Sequence, residues 1–582
     1  MTTRTAAALS AAVAIAVYWP ALQSQFVGDD FMILHRLRGL ASPGDVLRFF
    51  RGEFFEYYRP IGFVAHAVDW SIAGADARQF HLTNVLLHAA STVGVLLIGR
   101  ALSPRTMAGP AAALLFALHA SNHEAVVWIS ARFDLLATCF SLAALYWMVR
   151  GGTGSTLGAP LLFLGALLSK ESAVALPIAA AGFSVFALRA APADALRRVA
   201  PWMGALALYA VLRHVGGGVS AVGGASRLPK LIAFLLILAL VLWLSGSRWL
   251  RLRDWLRGHR GAGLGATLAV VAAAAVAAAA GGATGAVATE KLAVAGFALF
   301  NLVSPVLDVS AVPFYLDVDA ARYWLGGAIG IAFAALALAA AWRRLVDDGR
   351  MWFLGAFLVA ALLPISALTE GARYLYLPSA ALSLLAGIAV EELAGRHRAI
   401  ARSVVAAVLA LSVAQIEIKL RDWRWAGQLT ADGARLADAA LAPSCGEGHV
   451  VFLTEPVALR GVYTHFLYET FEIPRGCMPS TFQVLARMVR IDTPIEVTWD
   501  GPSRIVITVP EYRNNFVLSE DLRHFDRPLR EAPTRIVTPL GLLTAERVGR
   551  DERLTLTLSP GNARTSGTRF FYFNDGAMRG LE

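Results

Sequence analysis

The chain reads as a polytopic α-helical membrane protein of about thirteen transmembrane helices, followed by a soluble C-terminal α/β domain. Three observations predict this class. Hydrophobic residues make up 57% of the 582 and charged residues only 16%, whereas soluble domains carry roughly 25% charged residues; the mean hydropathy is +0.56. Apolar stretches long enough to enter a bilayer recur between residues 1 and 420. The arginines and lysines gather in short loops between those stretches. The net charge of +10 is therefore a topology signal. No basic face with interleaved aromatics marks a nucleic-acid surface, and nucleic acid is excluded as a partner.

Taken in order, Met1 to Arg4 holds one basic residue and no small-residue cleavage site, so Thr5 to Leu22 is expected to be a retained first span with a cytoplasmic N-terminus. Residues 23–78 form a first outer loop, with amphipathic pieces at Phe31 to Leu40 and Val46 to Tyr58 that suit a lid on the membrane surface. Spans are predicted at His81 to Ile98, Met107 to Leu118, Leu135 to Val149, Leu157 to Leu168, Ala173 to Leu188, Pro201 to Leu212, Leu231 to Leu244 and Leu264 to Ala280. Four more follow at Tyr323 to Trp342, Trp352 to Leu368, Leu375 to Val390 and Val404 to Ile416. The basic loops at Arg100 and Arg105, Arg150, Arg189, Arg248 to Arg260, Arg343 to Arg350 and Arg396 to Arg402 share one cytoplasmic side only if Leu292 to Leu307 is re-entrant or surface-lying. The Ala and Gly tract at 261–288 is small-residue helix packing.

Beyond Arg421-Asp422-Trp423-Arg424-Trp425, an interfacial run, the composition turns polar, and residues 421–582 form the predicted soluble domain on the non-cytoplasmic side. Strands are predicted at His449 to Leu453, Ile495 to Trp499, Arg504 to Val509 and Leu554 to Leu558, and helices at Leu459 to Phe471 and Phe482 to Val489. Cys445 and Cys477 would share this external domain and are expected to pair.

The candidate chemistry begins at Gln25-Phe26-Val27-Gly28-Asp29-Asp30-Phe31, where two acids emerge directly after the first span. An N-cap for the helix beginning near Phe31 is the bland alternative. Further ionisable groups stand at the ends of other spans: Arg59, His123, Glu124, Arg132, Asp134, Lys170, Glu171, Arg213, Glu370 and Arg373. Charges at membrane depth are costly and tend to mark a site. An acidic pair facing a ring of cations is how a membrane enzyme would hold a phosphate beside a base. Arg373 offers a bidentate fork, and Tyr374 beside it serves either the site or an interfacial belt. Against these stand plain readings: helix caps for the 118–136 turn, a local ion pair for Lys170 and Glu171, and a satisfied core histidine for His88. His119 and His123 lie at i and i+4 without a third ligand at a typical spacing. No metal ligand set is assigned, and a divalent metal is left as an alternative.

The order of Gly28-Asp29-Asp30, Tyr58-Arg59-Pro60, His81 to His88, His119 to Leu136, Ser169-Lys170-Glu171 and Arg373 to Ser379 resembles the C-type (GT-C fold) membrane glycosyltransferases. It is most similar to the protein O-mannosyltransferase branch that includes the transmembrane and tetratricopeptide repeat mannosyltransferases. The resemblance implies a sugar donor carried on a polyprenyl or dolichyl phosphate, a hexosyl transfer to a protein or glycan acceptor, and Asp29 or Asp30 as the base. It further implies the bilayer as a partner and, in a bacterium, an inner-membrane enzyme with its site facing the periplasm. Two departures stand out. No helix-pair repeat follows Trp425, and the spans around Leu231 to Ala280 look inserted. A carrier of lipid-linked sugars and a non-catalytic scaffold of the same fold are the other readings; ionisable groups crowding one membrane face favour the enzyme over the carrier.

Overall fold

The computed structural model describes residues 2–259 with breaks at 41, 52–56, 104–106, 153, 217–223 and 246, scattered positions between 302 and 339, 342–441 with breaks at 345 and 365–370, and 449–581 in stretches. The described residues form two compact units. One comprises Met1–Leu22 and, in the main, 36–420; the other comprises Gln23–His35 with Arg421–Glu582.

The first unit is helical. α1 (Thr3–Tyr18) starts at Thr2, whose hydroxyl accepts the Thr5 N–H at 3.2 Å, an N-cap of the usual chemistry. α2 (Asp30–Arg38) falls in the other unit. Then come α3 (Leu47–Phe50), α4 (Pro60–Ala73), α5 (Ala77–Leu102), α6 (Ala108–Ala117), α7 (His123–Val127), α8 (Arg132–Arg150) and α9 (Gly154–Ser169). α10 (Leu176–Gly182) is continued by a π turn, and α11 (Pro192–Val215), α12 (Gly224–Trp243), α13 (Ser247–Gly258), α14 (Gly349–Leu362), α15 (Tyr376–Arg396) and α16 (Arg398–Leu441) complete the described helices.

Five segments are long and apolar enough to cross a bilayer among the described residues: Thr3–Gln23, Ala77–Leu102, Ile129–Arg150, Ala372–Arg396 and Arg398–Gly433. Shorter apolar helices stand at Ala108–Ala117, Ser155–Ser169, Glu171–Ala187 and Gly349–Leu362. The chain is an integral membrane protein. The spans predicted at Leu264 to Ala280 and, for the most part, Tyr323 to Trp342 lie outside the described residues, as does nearly all of Leu292 to Leu307 and with them the count of thirteen. α4 differs from expectation: it is a helix within the predicted outer loop, and its 14 residues are too short to read as a span. Pro60 occupies its first turn, where a missing N–H costs nothing. α4 also approaches α8 closely: a Cβ on Gly62 would lie 2.1 Å from the Phe133 ring.

The second unit holds the turn that starts α2 and a β domain. Gly28 adopts φ 54, the left-handed conformation that glycine reaches without strain, and Asp30 N–H bonds back to the Val27 carbonyl at 3.1 Å. One sheet has the order β12-β11-β1-β4-β7, built from β1 (His449–Pro456), β4 (Thr481–Met488), β7 (Phe516–Leu518), β11 (Arg569–Asn574) and β12 (Ala577–Leu581). Its centre is parallel, β1 pairing with β4 on one side and β11 on the other. The second sheet is antiparallel, β5-β6-β10-β9-β8, from β5 (Glu496–Trp499), β6 (Arg504–Val509), β8 (Thr534–Thr538), β9 (Gly541–Val548) and β10 (Asp551–Leu558). In β10, Leu554, Leu556 and Leu558 are buried, the two-residue period of a half-buried strand. The Asn574 side chain ties the sheets, accepting from Ile495 N–H at 3.0 Å and donating to the Ile495 carbonyl at 2.7 Å.

The four predicted strands are present. Of the two predicted helices, Phe482 to Met488 lies instead in β4, and the described residues of Leu459 to Phe471, Leu459, Val462 and Tyr463, belong to a hairpin of β2 (Ala458–Leu459) and β3 (Val462–Tyr463), the rest lying outside the described residues. Leu485, Ala486, Arg487 and Met488 favour helix by propensity, but pairing with β1 overrides that weak preference. α16 runs on to Leu441, so the described residues of 421–582 combine the end of that helix with β strands. Cys445 and Cys477 lie outside the described residues.

Candidate active site

The site is built where the ends of several helices meet. Between α6 and α8 the chain makes a buried polar turn that its own side chains satisfy. Asn122 donates to the Phe116 carbonyl at 2.8 Å and accepts from Ser379 at 2.9 Å, which fixes the turn to α15. His119 bonds Ser121 at 2.8 Å and the Leu302 carbonyl at 3.0 Å; His123 bonds the Ala120 carbonyl at 2.9 Å. Burial, aided by the Lys419 charge, pushes the His123 imidazole down to about 3. Among the described residues no group of three or more His, Cys, Asp or Glu is arranged to hold a metal.

The turn aims Glu124 at the segment that opens α15. One oxygen of Glu124 accepts the Ala372 N–H at 2.6 Å and the Arg373 N–H at 3.3 Å, and the other takes the Arg373 guanidinium. Arg373 stacks on two rings, Trp128 and Tyr374, each with its centroid 4.6 Å from Cζ. Lys170 Nζ lies 4.6 Å from the centroid of the same Tyr374 ring and 2.5 Å from Asp134 Oδ2. One aromatic ring thus spaces two cations, a contact worth about 0.5–2 kcal/mol for each.

Arg59, the residue before α4, completes the layer by gripping Glu171 at 2.9 and 2.5 Å in a two-bond fork. Burial opposes its charge, yet Glu171 and, more weakly, Asp134 and Tyr374 hold its guanidinium pKa above the ordinary arginine value. Arg213 on α11 bonds Tyr209, which in turn feels Glu171 and Arg59, so it stands at the edge of the same group. Arg59, Glu124, Asp134, Lys170, Glu171, Arg213, Arg373 and Tyr374 are therefore brought together. Each of Arg59, Lys170 and Arg373 carries its own carboxylate.

Arg132 is placed differently. It is fully buried, pairs with Asp69 at 2.6 Å, and donates to Asn84 Oδ1, the Ala65 carbonyl and the Phe80 carbonyl at 2.8–3.0 Å. Its guanidinium binds α4, α5 and α8 into one body. Asp29 and Asp30 belong to the other unit; Asp30 is buried and accepts the Val27 N–H at 3.0 Å, while Asp29 is half-buried. Glu370 lies outside the described residues. His88 is a satisfied buried histidine, between the Tyr376 hydroxyl at 2.8 Å and the Ala117 carbonyl at 3.1 Å.

Three contributors escaped the sequence. Trp128 reads as one more apolar residue, Asp69 sits inside a helix absorbed into a loop, and Gly371 looks like a plain turn. A Cβ on Gly371 would lie 2.6 Å from Arg373 Nη1 and 3.3 Å from Glu124 Oε1, so the glycine leaves room for that pair. The signal available for Asp69 is its cost: a carboxylate inside an apolar helix demands a partner.

Known proteins bear on this arrangement through sequence. A segment of 183 residues, 28% of the chain, is 31% identical to protein O-mannosyl-transferase Tmtc1 of Drosophila melanogaster and spans 21% of it. It is similar to the protein O-mannosyltransferases. A 171-residue segment, 27% of the chain, is 34% identical to Tmtc2 of the same fly and spans 18% of it, and 200 residues, 31% of the chain, are 28% identical to TMTC2 of Mus musculus, spanning 24%. The matched part covers about a fifth to a quarter of these relatives' length. No protein-family profile matches. Among solved structures, the oligosaccharyltransferase AglB from Archaeoglobus fulgidus, in complex with an inhibitory peptide and a dolichol-phosphate, has a TM-score of 0.41 at 13% identity, covering 77% of this chain and 62% of its own. ArnT from Cupriavidus metallidurans bound to undecaprenyl phosphate has a TM-score of 0.42 at 15% identity, covering 80% and 84%. At these scores the likeness carries no argument.

Proposed function

We propose that the protein is an integral-membrane glycosyltransferase that moves a sugar from a polyprenyl-phosphate donor to a hydroxyl of a protein or glycan acceptor, with inversion at the anomeric carbon. The observation that carries this reading is the convergence of Arg59, Lys170 and Arg373 on one aromatic-lined layer. Three fixed cations at the end of apolar helices suit a phosphate whose hydrocarbon stays in the bilayer. The relatives' printed activity, O-mannosyl transfer, supports a hexose and a hydroxyl acceptor. The basic loops support a site on the non-cytoplasmic side of its membrane.

In this mechanism the carboxylate of Asp29 or Asp30 takes the acceptor hydroxyl proton, the freed oxygen pair attacks the anomeric carbon, and the sugar–phosphate bond breaks with its electrons leaving on the phosphate. The base assignment rests on the sequence resemblance and on the position of the acids directly after the first span. Arg373 and Lys170 then stabilise the departing lipid phosphate. Glu124 acts as a positioning residue, holding two backbone N–H groups and the guanidinium of Arg373 in place.

The test is a purified-protein assay with a labelled polyprenyl-phosphate sugar, read for binding and transfer in parallel. Asp29→Asn or Asp30→Asn is expected to lower transfer by about 10²-fold or more while donor binding survives. Arg373→Ala is expected to weaken both. Near-wild-type transfer by both asparagine variants ends the base assignment, and absence of any transfer by the wild type with a range of donors and acceptors ends the enzymatic reading.

A further inference from the structure

An apolar cleft of about 470 Å³ opens between the Glu171–Ala187 segment, α12 and α14, lined by Ile178, Phe186, Leu240, Met351 and Trp352, with Gly355 in its wall. In a bilayer such a cleft is filled by hydrocarbon. One end meets a ring cluster: Phe186, Trp249 and Trp352 stand with centroids 5.7–6.5 Å apart. Over Trp249 lie two guanidinium groups, Arg253 at 5.3 Å and Arg189 at 5.9 Å from the centroid.

Trp249 is carried by α13, which turns 88° from the Phe234–Trp243 helix and sets four arginines against one aspartate. Asp254 accepts from Arg253 and Arg257, and Arg257 also reaches Asp347 at 2.6 Å. Arg248 and Arg251 remain exposed. A helix set across the axis of a span, with tryptophans and leucines interleaved among arginines, suits the level of the headgroups. The cleft therefore offers a chain-shaped apolar slot that ends at a cationic, tryptophan-floored ledge.

We propose that this cleft binds an anionic glycerophospholipid, with one acyl chain against Gly355 and the phosphate on Arg189 and Arg253. Charge complementarity selects the headgroup, since basic pockets between membrane helices at the headgroup level take anionic lipids. The slot is separate from the layer around Tyr374. Lys170 and Phe186 lie at opposite ends of one helical segment, about 24 Å apart at 1.5 Å per residue, so a phosphate on this ledge is not one held by Lys170.

The experiment uses the full-length protein, purified and delipidated, with native mass spectrometry of added phosphatidylglycerol, phosphatidylcholine of identical chains, and a polyprenyl phosphate. Phosphatidylglycerol is expected to bind about ten-fold more tightly than phosphatidylcholine, several-fold coming from each arginine. The double variant Arg189→Gln, Arg253→Gln should erase that preference. Gly355 lines the cleft and a Cβ built on it meets open space, so Gly355→Leu adds bulk at the cleft wall and should weaken both phospholipids. Equal binding of the two phospholipids by the wild type overturns the proposal with no variant needed. So does unchanged phospholipid binding in Gly355→Leu, or a polyprenyl phosphate that displaces phosphatidylglycerol from the wild type at equal concentration.

Discussion

Arg132 and Arg373 both stand near the ends of membrane helices, the first fully buried and the second half-buried, and their surroundings differ in kind. Arg132 spends its donors on Asp69, Asn84 and two carbonyls, with no exposed surface. Arg373 uses two of its N–H groups, on Glu124 and on the Tyr374 hydroxyl at 3.2 Å, and is otherwise held by ring faces. An arginine fixed by hydrogen bonds on every side is architecture. One fixed by stacking keeps donor capacity for a ligand, because a ring holds the plane of the guanidinium without occupying its edge. By this criterion Arg373 has donors that a ligand could take, whereas the donors of Arg132 are engaged within the protein.

The largest effect that tests the contrast is Arg132→Leu. It strands Asp69 without its counter-ion in an apolar interior and is expected to cost about 3–5 kcal/mol, seen as loss of folded protein on size-exclusion chromatography and in thermal unfolding. A well-folded but inactive Arg132→Leu protein would break the comparison. Next in size, Arg373→Lys keeps the charge but loses the fork and the double stack, and transfer is expected to fall about 10²-fold with the melting temperature within about 2 °C of wild type. A large drop in melting temperature would class Arg373 with Arg132. Gly371→Ala sharpens the picture further: the added methyl pushes the guanidinium from its seat, and a roughly ten-fold loss of turnover is expected. If Gly371→Ala turns over normally, the seat of Arg373 does not matter. Smallest is Glu171→Gln, which weakens a partly exposed pair; stability should change by less than about 1 kcal/mol, measured by chemical denaturation.

Much of the helical unit was legible because apolar length is a direct consequence of bilayer thickness. The polar residues of the layer were legible as well, since Glu124, Lys170, Glu171 and Arg373 stand out against apolar neighbours. Their pairing was not. Lys170 meets Asp134 rather than being held by the adjacent Glu171, and Glu171 reaches instead to Arg59, 112 residues earlier. Sequence neighbours at such a turn point apart, and only the packing of α4, α8 and α9 decides the partners. The partner of Arg132 is hidden for the same reason: Asp69 sits in α4, which is too short to announce itself. In the β domain, β4 was hidden because Leu485, Ala486, Arg487 and Met488 favour helix by propensity, a weak preference that pairing with β1 overrides.

The parallel seam of that domain has a bearing on how the chain is made. Thr454 meets Phe573 across 119 residues of sequence, so the central strand cannot gain its β11 neighbour until the last stretch of chain has left the ribosome. At about 5–20 residues per second that is a wait of about 6 to 24 seconds. During it Val451, Phe452 and Leu453 stand on an open strand edge, the kind of surface on which nascent chains aggregate.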